Sequence, residues 1–295
     1  MSDTDALLAQ LIGRVDALLA RAEHLLPAAP VLPDLAGKIA FRWRRRRNDR
    51  HGGGQLVPVM HPHRIRLADL QDIDMQKARI DVNTRQFLRG SLANNVLLTG
   101  ARGTGKSSLI KALLNEYAAA GLRLIEVDKD DLIDLPDIVE LIAGRPERFI
   151  LFCDDMSFES GEPGFKALKS VLDGSVSALA DNVLIYATSN RRHLMPEYFD
   201  ENLDARHVDG EVHPGEATEE KISLSERFGL WLSFYPFTQD EYLAIVRHWL
   251  REFGVPAGEI ETARAEALQW SLSRGSRSGR VAWQFARDRA GRTTG

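Results

Sequence analysis

One octet constrains this chain more than anything else in it. Gly100-Ala101-Arg102-Gly103-Thr104-Gly105-Lys106-Ser107 matches GxxxxGK[ST] in full. Its setting gives the string its force. An apolar run, Asn95 to Thr99, precedes it, and a segment with helical spacing, Lys106 to Ala120, follows and is closed by Gly121. Strand, glycine-rich turn and helix in that order make a phosphate cradle. Gly100, Gly103 and Gly105 let backbone N–H groups converge on phosphate oxygens, and the helix N-terminus adds its positive end. Lys106 is then placed for the β- and γ-phosphates, and the Ser107 hydroxyl for Mg2+. The expected phosphate-binding set is the whole loop, Ala101, Arg102, Thr104 and Ser108 included. An ordinary glycine-rich turn would explain the glycines, but not lysine and serine in register before a helix.

The rest of the chain supplies a matching scaffold. Arg123 to Val127, Phe149 to Cys153, Val183 to Ala187 and Phe228 to Phe234 read as apolar strands. Asp74 to Gly90, Asp134 to Ala143 and Phe165 to Leu172 read as helices between them. This alternation predicts a parallel sheet covered on both faces. From Thr238 onward the pattern is helical: Asp240 to Phe253, Ala257 to Ser273 and Ser278 to Ala290. At the other end, Asp5 to Leu26 reads as an amphipathic helix carrying Leu7, Leu8, Leu11, Ile12, Val15, Leu18 and Leu19, stopped by Pro27, Pro30 and Pro33. The expected division is residues 1–56 as N-terminal helix and basic linker, 57–237 as the α/β nucleotide-binding domain, and 238–295 as a helical domain.

Composition narrows the class. With 44% hydrophobic residues the chain can bury a real core. Its one cysteine, Cys153, forbids an intrachain disulfide. No apolar run approaches the roughly 18 residues of a membrane span, and no basic leader precedes the first helix. The expectation is a soluble, cytoplasmic protein. A net charge of −4 gives no global attraction to nucleic acid. Locally, Arg42, Arg44, Arg45, Arg46 and Arg47 stand beside Phe41 and Trp43. Nucleic acid or an anionic membrane surface would suit that cluster, and so would a solvated loop or a protein contact.

The strand Phe149 to Cys153 ends in Asp154-Asp155. In parallel α/β sheets ligands bind at the carboxyl ends of strands. Asp154 is therefore expected in the Mg2+ shell, and Asp155 beside the attacking water. A solvated turn after a buried strand is the plain alternative.

Together these segments resemble the AAA+ ATPases, near the branch of replication initiators and helicase loaders, and most of all a bacterial AAA+ family of unknown function. The resemblance spans about Leu67 to Ala290. It is carried by Asn94 to Ser108, Leu151 to Asp155, Tyr186-Ala-Thr-Ser-Asn190 and Leu224-Ser-Glu-Arg-Phe-Gly-Leu230. It implies a five-stranded parallel P-loop NTPase sheet, a small all-helical C-terminal lid and an N-terminal helical extension. It also implies ATP and Mg2+ as ligands, self-association as a ring or dimer, and a protein or nucleic-acid client that is remodelled. By the same resemblance Asn190 positions the hydrolytic water and Arg227 is an arginine finger acting on a neighbouring subunit. Arg280 contacts nucleotide from the lid, and Ile73 packs on adenine. A core role for Ile73, a strand-closing turn at Asn190, an exposed strand-opening Arg227 and a solvated basic helix around Arg280 stay open as alternatives. Asp155 departs from the glutamate most AAA+ proteins carry there, which implies slow turnover. Two other readings follow: an ATP-gated assembly switch, or a P-loop kinase for a small molecule. The polar stretch His193 to Lys221 reads as a mobile loop, and the spacing of His207 and His213 is a poor match for a metal site.

Overall fold

The computed structural model describes residues 3–23, 33–45, 53–158, 162–173, 180–190, 206–208, 211–213 and 226–293. Its strands are β1 (Ala40–Arg45), β2 (Gly54–Pro58), β3 (Val96–Gly100), β4 (Leu122–Glu126), β5 (Arg148–Cys153), β6 (Val183–Ser189), β7 (Arg206–Val208), β8 (Glu211–His213) and β9 (Leu230–Phe234). Its helices are α1 (Asp3–Glu23), α2 (Asp74–Leu88), α3 (Lys106–Tyr117), α4 (Leu135–Ile142), α5 (Pro163–Asp173), α6 (Gln239–Glu252), α7 (Ala257–Thr262), α8 (Arg264–Ser273) and α9 (Gly279–Thr293).

The continuous apolar runs of β5 and β6 sit at the middle of the main sheet, where both faces are covered. Strand alternation divides their side chains between two cores. Val96, Leu98, Ile150 and Phe152 join Leu109, Ile110 and Leu113 of α3 on one face. Leu97, Phe149, Leu151 and Cys153 join Ile138 of α4 and Phe165 of α5 on the other. Cys153 is fully buried, and burial pushes its thiol up to about 12.

The sheet corrects the expected strand count. Five parallel strands, β4-β5-β6-β3-β9, are present, but two more extend the β4 edge, giving the order β2-β1-β4-β5-β6-β3-β9. β1 runs parallel to β4, and β2 pairs antiparallel with β1. The segment expected to be a basic linker therefore supplies an edge hairpin. The cause is visible in the alternation of Phe41 and Trp43, both fully buried, with Arg42 and Arg44, which face acids. Arg42 Nε donates to Glu126 at 2.8 Å, while Arg44 and Arg45 lie 3.8 Å from Asp128 and Asp134. The Trp43 indole N–H donates to buried Asp134 at 2.9 Å. On β2, a Cβ on Gly54, two residues before Trp43's cross-strand partner Leu56, would lie 2.3 Å from the indole, so only glycine fits. The described arginines of the cluster are thus matched by acids of their own chain; Arg46 and Arg47 fall outside the described residues.

α1 starts two residues earlier than the pattern predicts, and residues 24–26 fall outside the description. Its residues Leu8, Leu11, Ile12, Val15, Leu18 and Leu19 are exposed. Of the stretch 193–221 only β7 and β8 are described, paired antiparallel. Among the described residues no helix is long and apolar enough to cross a membrane.

The last four helices form the lid. α6 begins with a capping box: Thr238 N–H donates to Glu241 at 2.7 Å, and Glu241 N–H returns to Thr238 Oγ1 at 3.3 Å. Its buried residues Tyr242, Leu243 and Val246 pack with Ala282 and Phe285 of α9. The lid touches the phosphate loop directly, through Gly279 N–H to the Gly103 carbonyl at 2.8 Å.

Candidate functional site

The loop after β3 turns on Gly100. Its φ of +124° is open to glycine, and a Cβ there would sit 1.9 Å from the Phe234 carbonyl oxygen of β9. β3 and β9 can therefore close together at their carboxyl ends, as Ala101 N–H bonding to the Phe234 carbonyl at 3.1 Å shows. α3 then starts at Lys106, its N-terminus facing a cavity of about 560 Å³. Arg102 through Ser108 line that cavity, with Asp154 and Asp155 just after β5, Thr188 on β6, Asn190 just after it and Arg280 from the lid. Gly100 and Ala101 take part through their carbonyls instead.

Lys106 is only 5% exposed. Its ammonium donates to the Gly100 carbonyl at 2.8 Å, the Ala101 carbonyl at 2.7 Å and Asn190 Oδ1 at 3.0 Å. Burial lowers its pKa to about 8; Asp155 and Asp154 pull the other way, and Arg102 adds to the lowering. Ser107 Oγ donates to Asp154 Oδ1 at 2.5 Å. Asn190 Nδ2 donates to Asp155 Oδ1, so one amide side chain links Lys106 to Asp155.

The turn after β5 is held from β6. Thr188, 1% exposed, donates its hydroxyl proton to Asp154 Oδ1 at 2.6 Å and accepts the Asp155 N–H at 2.9 Å. Met156 N–H bonds to the Thr188 carbonyl at 2.6 Å, and Ser189 Oγ to the Met156 carbonyl at 2.7 Å. These bonds fix Asp155 at a φ of +51°, a left-handed conformation that aspartate tolerates better than most residues. Thr188 escaped the sequence reading because Thr-Ser before Asn looks like a strand-closing turn. The available signal was a hydroxyl at the carboxyl end of the strand beside Asp154.

The remaining expected residues divide. Ile73 is 4% exposed, belongs to the core and also lines the cavity. Arg280 is exposed at the cavity wall. Arg227 lies outside that wall and forms an ion pair with Asp173 at the end of α5.

Asp69, also on the cavity wall, meets the lid. Arg66 Nη2 lies 2.5 Å from both Asp69 Oδ1 and Glu252 Oε2, bridging the segment before α2 to the end of α6. His248 Nε2 lies 3.6 Å from Asp69 Oδ1 and has no hydrogen-bond partner among the described residues. Burial pushes the Asp69 carboxyl up, but the hydrogen bonds and charge of Arg66 outweigh it, and the net shift is downward.

The residues present suit Mg2+ and a nucleoside triphosphate. A hydroxyl and a carboxylate in contact are hard oxygen donors of the kind Mg2+ takes. A buried ammonium bonded only to neutral oxygens is a place for phosphate charge.

A family model described as a protein of unknown function, DUF815, matches residues 36–293, most of the chain. The chain belongs to this family. Among solved structures, the DUF815 chain is similar to a point variant of Thermotoga maritima RuvB, at 15% identity and a TM-score of 0.50. That match covers 76% of the DUF815 chain and 63% of the RuvB chain, so the chain spans less than two thirds of this relative. It also matches the Aeropyrum pernix ORC1 protein in complex with DNA, at 17% identity, with 72% and 58% covered and a TM-score of 0.47. At 15% identity the likeness to RuvB is one of fold alone. Comparison with curated proteins finds no match.

Proposed function

We propose that this chain binds Mg2+-ATP between sheet and lid and hydrolyses it slowly, at an interface between subunits, to remodel a macromolecular partner. The observation that carries the reading is the convergence on one cavity wall of Lys106, the Ser107–Asp154 contact and the Asp155–Asn190 contact. Residues 57–237 with the edge hairpin would form the nucleotide-binding unit, and residues 238–295 the lid.

When bound, Mg2+ would neutralise phosphate charge. Ser107 and Asp154 are the residues that would hold it. The loop from Gly100 to Ser108 would wrap the phosphates, with Lys106 moving its ammonium from backbone carbonyls to phosphate oxygens. Asp155, oriented by Asn190, would accept a proton from the water that attacks the γ-phosphorus as the bond to the β–γ bridging oxygen breaks. Arg227 would leave Asp173 to offset charge at a neighbour's site, and Arg280 would close the lid side. Ile73 would contact the base.

A second reading, an ATP-gated assembly switch with little turnover, is favoured by one observation. Asp155 carries a short carboxylate that Asn190 already engages. ATP binding and turnover, measured against protein concentration for wild type and Arg227→Ala, separate the two. Turnover that rises steeply with concentration and collapses in the variant, with binding retained, supports hydrolysis between subunits. Binding without turnover at any concentration selects the switch. Absence of ATP binding would sink both.

A further inference from the structure

The carboxylate expected at the metal is not held by the phosphate loop alone. Asp154 Oδ1 receives two hydroxyl protons, from Ser107 at 2.5 Å and from Thr188 at 2.6 Å. With both on the same oxygen, Oδ2 is the one left for a cation or its water. Thr188 does more than donate. Its oxygen accepts the Asp155 N–H at 2.9 Å, so one buried hydroxyl orients the first carboxylate and fixes the backbone of the second. Ser107 is itself expected to turn toward a metal. Thr188 reaches the carboxylate from a neighbouring strand and faces no such competing demand.

We propose that Thr188 is a positioning residue for the metal-binding carboxylate, and that its hydroxyl sets how strongly a divalent cation couples to nucleotide binding. The inference rests on the nucleotide reading above and deepens it. Groups that orient a metal ligand without touching the metal commonly change metal affinity by about 10- to 100-fold. A threonine that merely closes β6 would, when replaced, weaken the protein without distinguishing metal-bound from metal-free nucleotide.

The test is ATP affinity of the full chain by calorimetry, with Mg2+ and with EDTA, for wild type, Thr188→Val and Thr188→Ser. Bound Mn2+ counted by electron paramagnetic resonance in the presence of ATP is a second readout. Wild type is expected to bind ATP more tightly with Mg2+. Thr188→Val should keep the metal-free affinity within about twofold and lose about tenfold or more of the Mg2+-linked gain. Thr188→Ser, which keeps the hydroxyl, should restore it. Should valine prevent folding, Thr188→Ala is read in the same way. A Thr188→Val protein with the full wild-type Mg2+ gain overturns the proposal while leaving the nucleotide reading standing. So does an equal loss with and without metal that serine does not repair. A wild type that binds ATP with no Mg2+-linked gain, or does not bind it, overturns both.

Discussion

Lys106 is caught between two demands. Burial alone favours its neutral form, and the cavity it faces suits a phosphate that needs it charged. Its pKa of about 8, against 10.5 for a free lysine, fixes the sign of the consequences. Between those values the folded, ligand-free protein binds fewer protons here than the unfolded chain. This residue therefore makes stability rise with pH across that window, and its penalty is fully present below about 8. Phosphate binding works the other way by restoring the charge. ATP affinity is expected to fall as pH rises through about 8, by at most about tenfold per pH unit from this group. Calorimetry in buffers of different ionisation enthalpy should show proton uptake on binding at pH 9, and Lys106→Met should abolish that uptake. Equal affinity at pH 7 and pH 9 would contradict the assignment.

Among the elements, the β1–β2 hairpin is where sequence and structure part. The phosphate loop was legible because its residues are neighbours and each has a local reason. The place of Asp154 on the cavity wall was legible because a carboxylate closing a buried strand lies at the strand's carboxyl end. The hairpin was obscured by its arginines. Their partners stand far along the chain, Glu126 84 residues from Arg42 and Asp134 91 residues from Trp43. No local pattern pairs them, although Phe41 and Trp43 alternating with arginine was a strand signal in plain view. The same distance logic hid Thr188, whose role exists only once β6 lies beside β5. If the hairpin is part of the folding unit, Trp43→Ala should cost about 3–5 kcal/mol. Trp43→Phe should cost about 1–3 kcal/mol, because it leaves the buried Asp134 carboxylate without its indole donor. Urea titrations would measure both. Losses below about 0.5 kcal/mol would show the hairpin to be an ornament on the sheet.

At the scale of the whole molecule, Arg66 ties the lid to the rest of the chain. It grips buried Asp69 on one side and Glu252, at the end of α6, on the other. Exposed ion pairs contribute little, so Arg66→Ala should weaken ATP binding by less than about tenfold. Its signature should be local: faster hydrogen exchange in residues 239–252, with exchange in β5 and β6 unchanged. Uniformly faster exchange would mean that the contact supports the fold at large and not the lid. Cys153 offers a reading of the opposite kind. A thiol pushed up to about 12 and sealed in the core at the end of β5 is inert toward alkylating reagents while the sheet is intact. It reacts only in molecules whose centre has opened. Its labelling rate is thus a clock for the rarest excursions of the native state, set going by a small reagent and needing no engineered probe. A ligand that binds only the closed form slows that clock in proportion to its occupancy, so the chain carries its own assay for whatever fills the cavity.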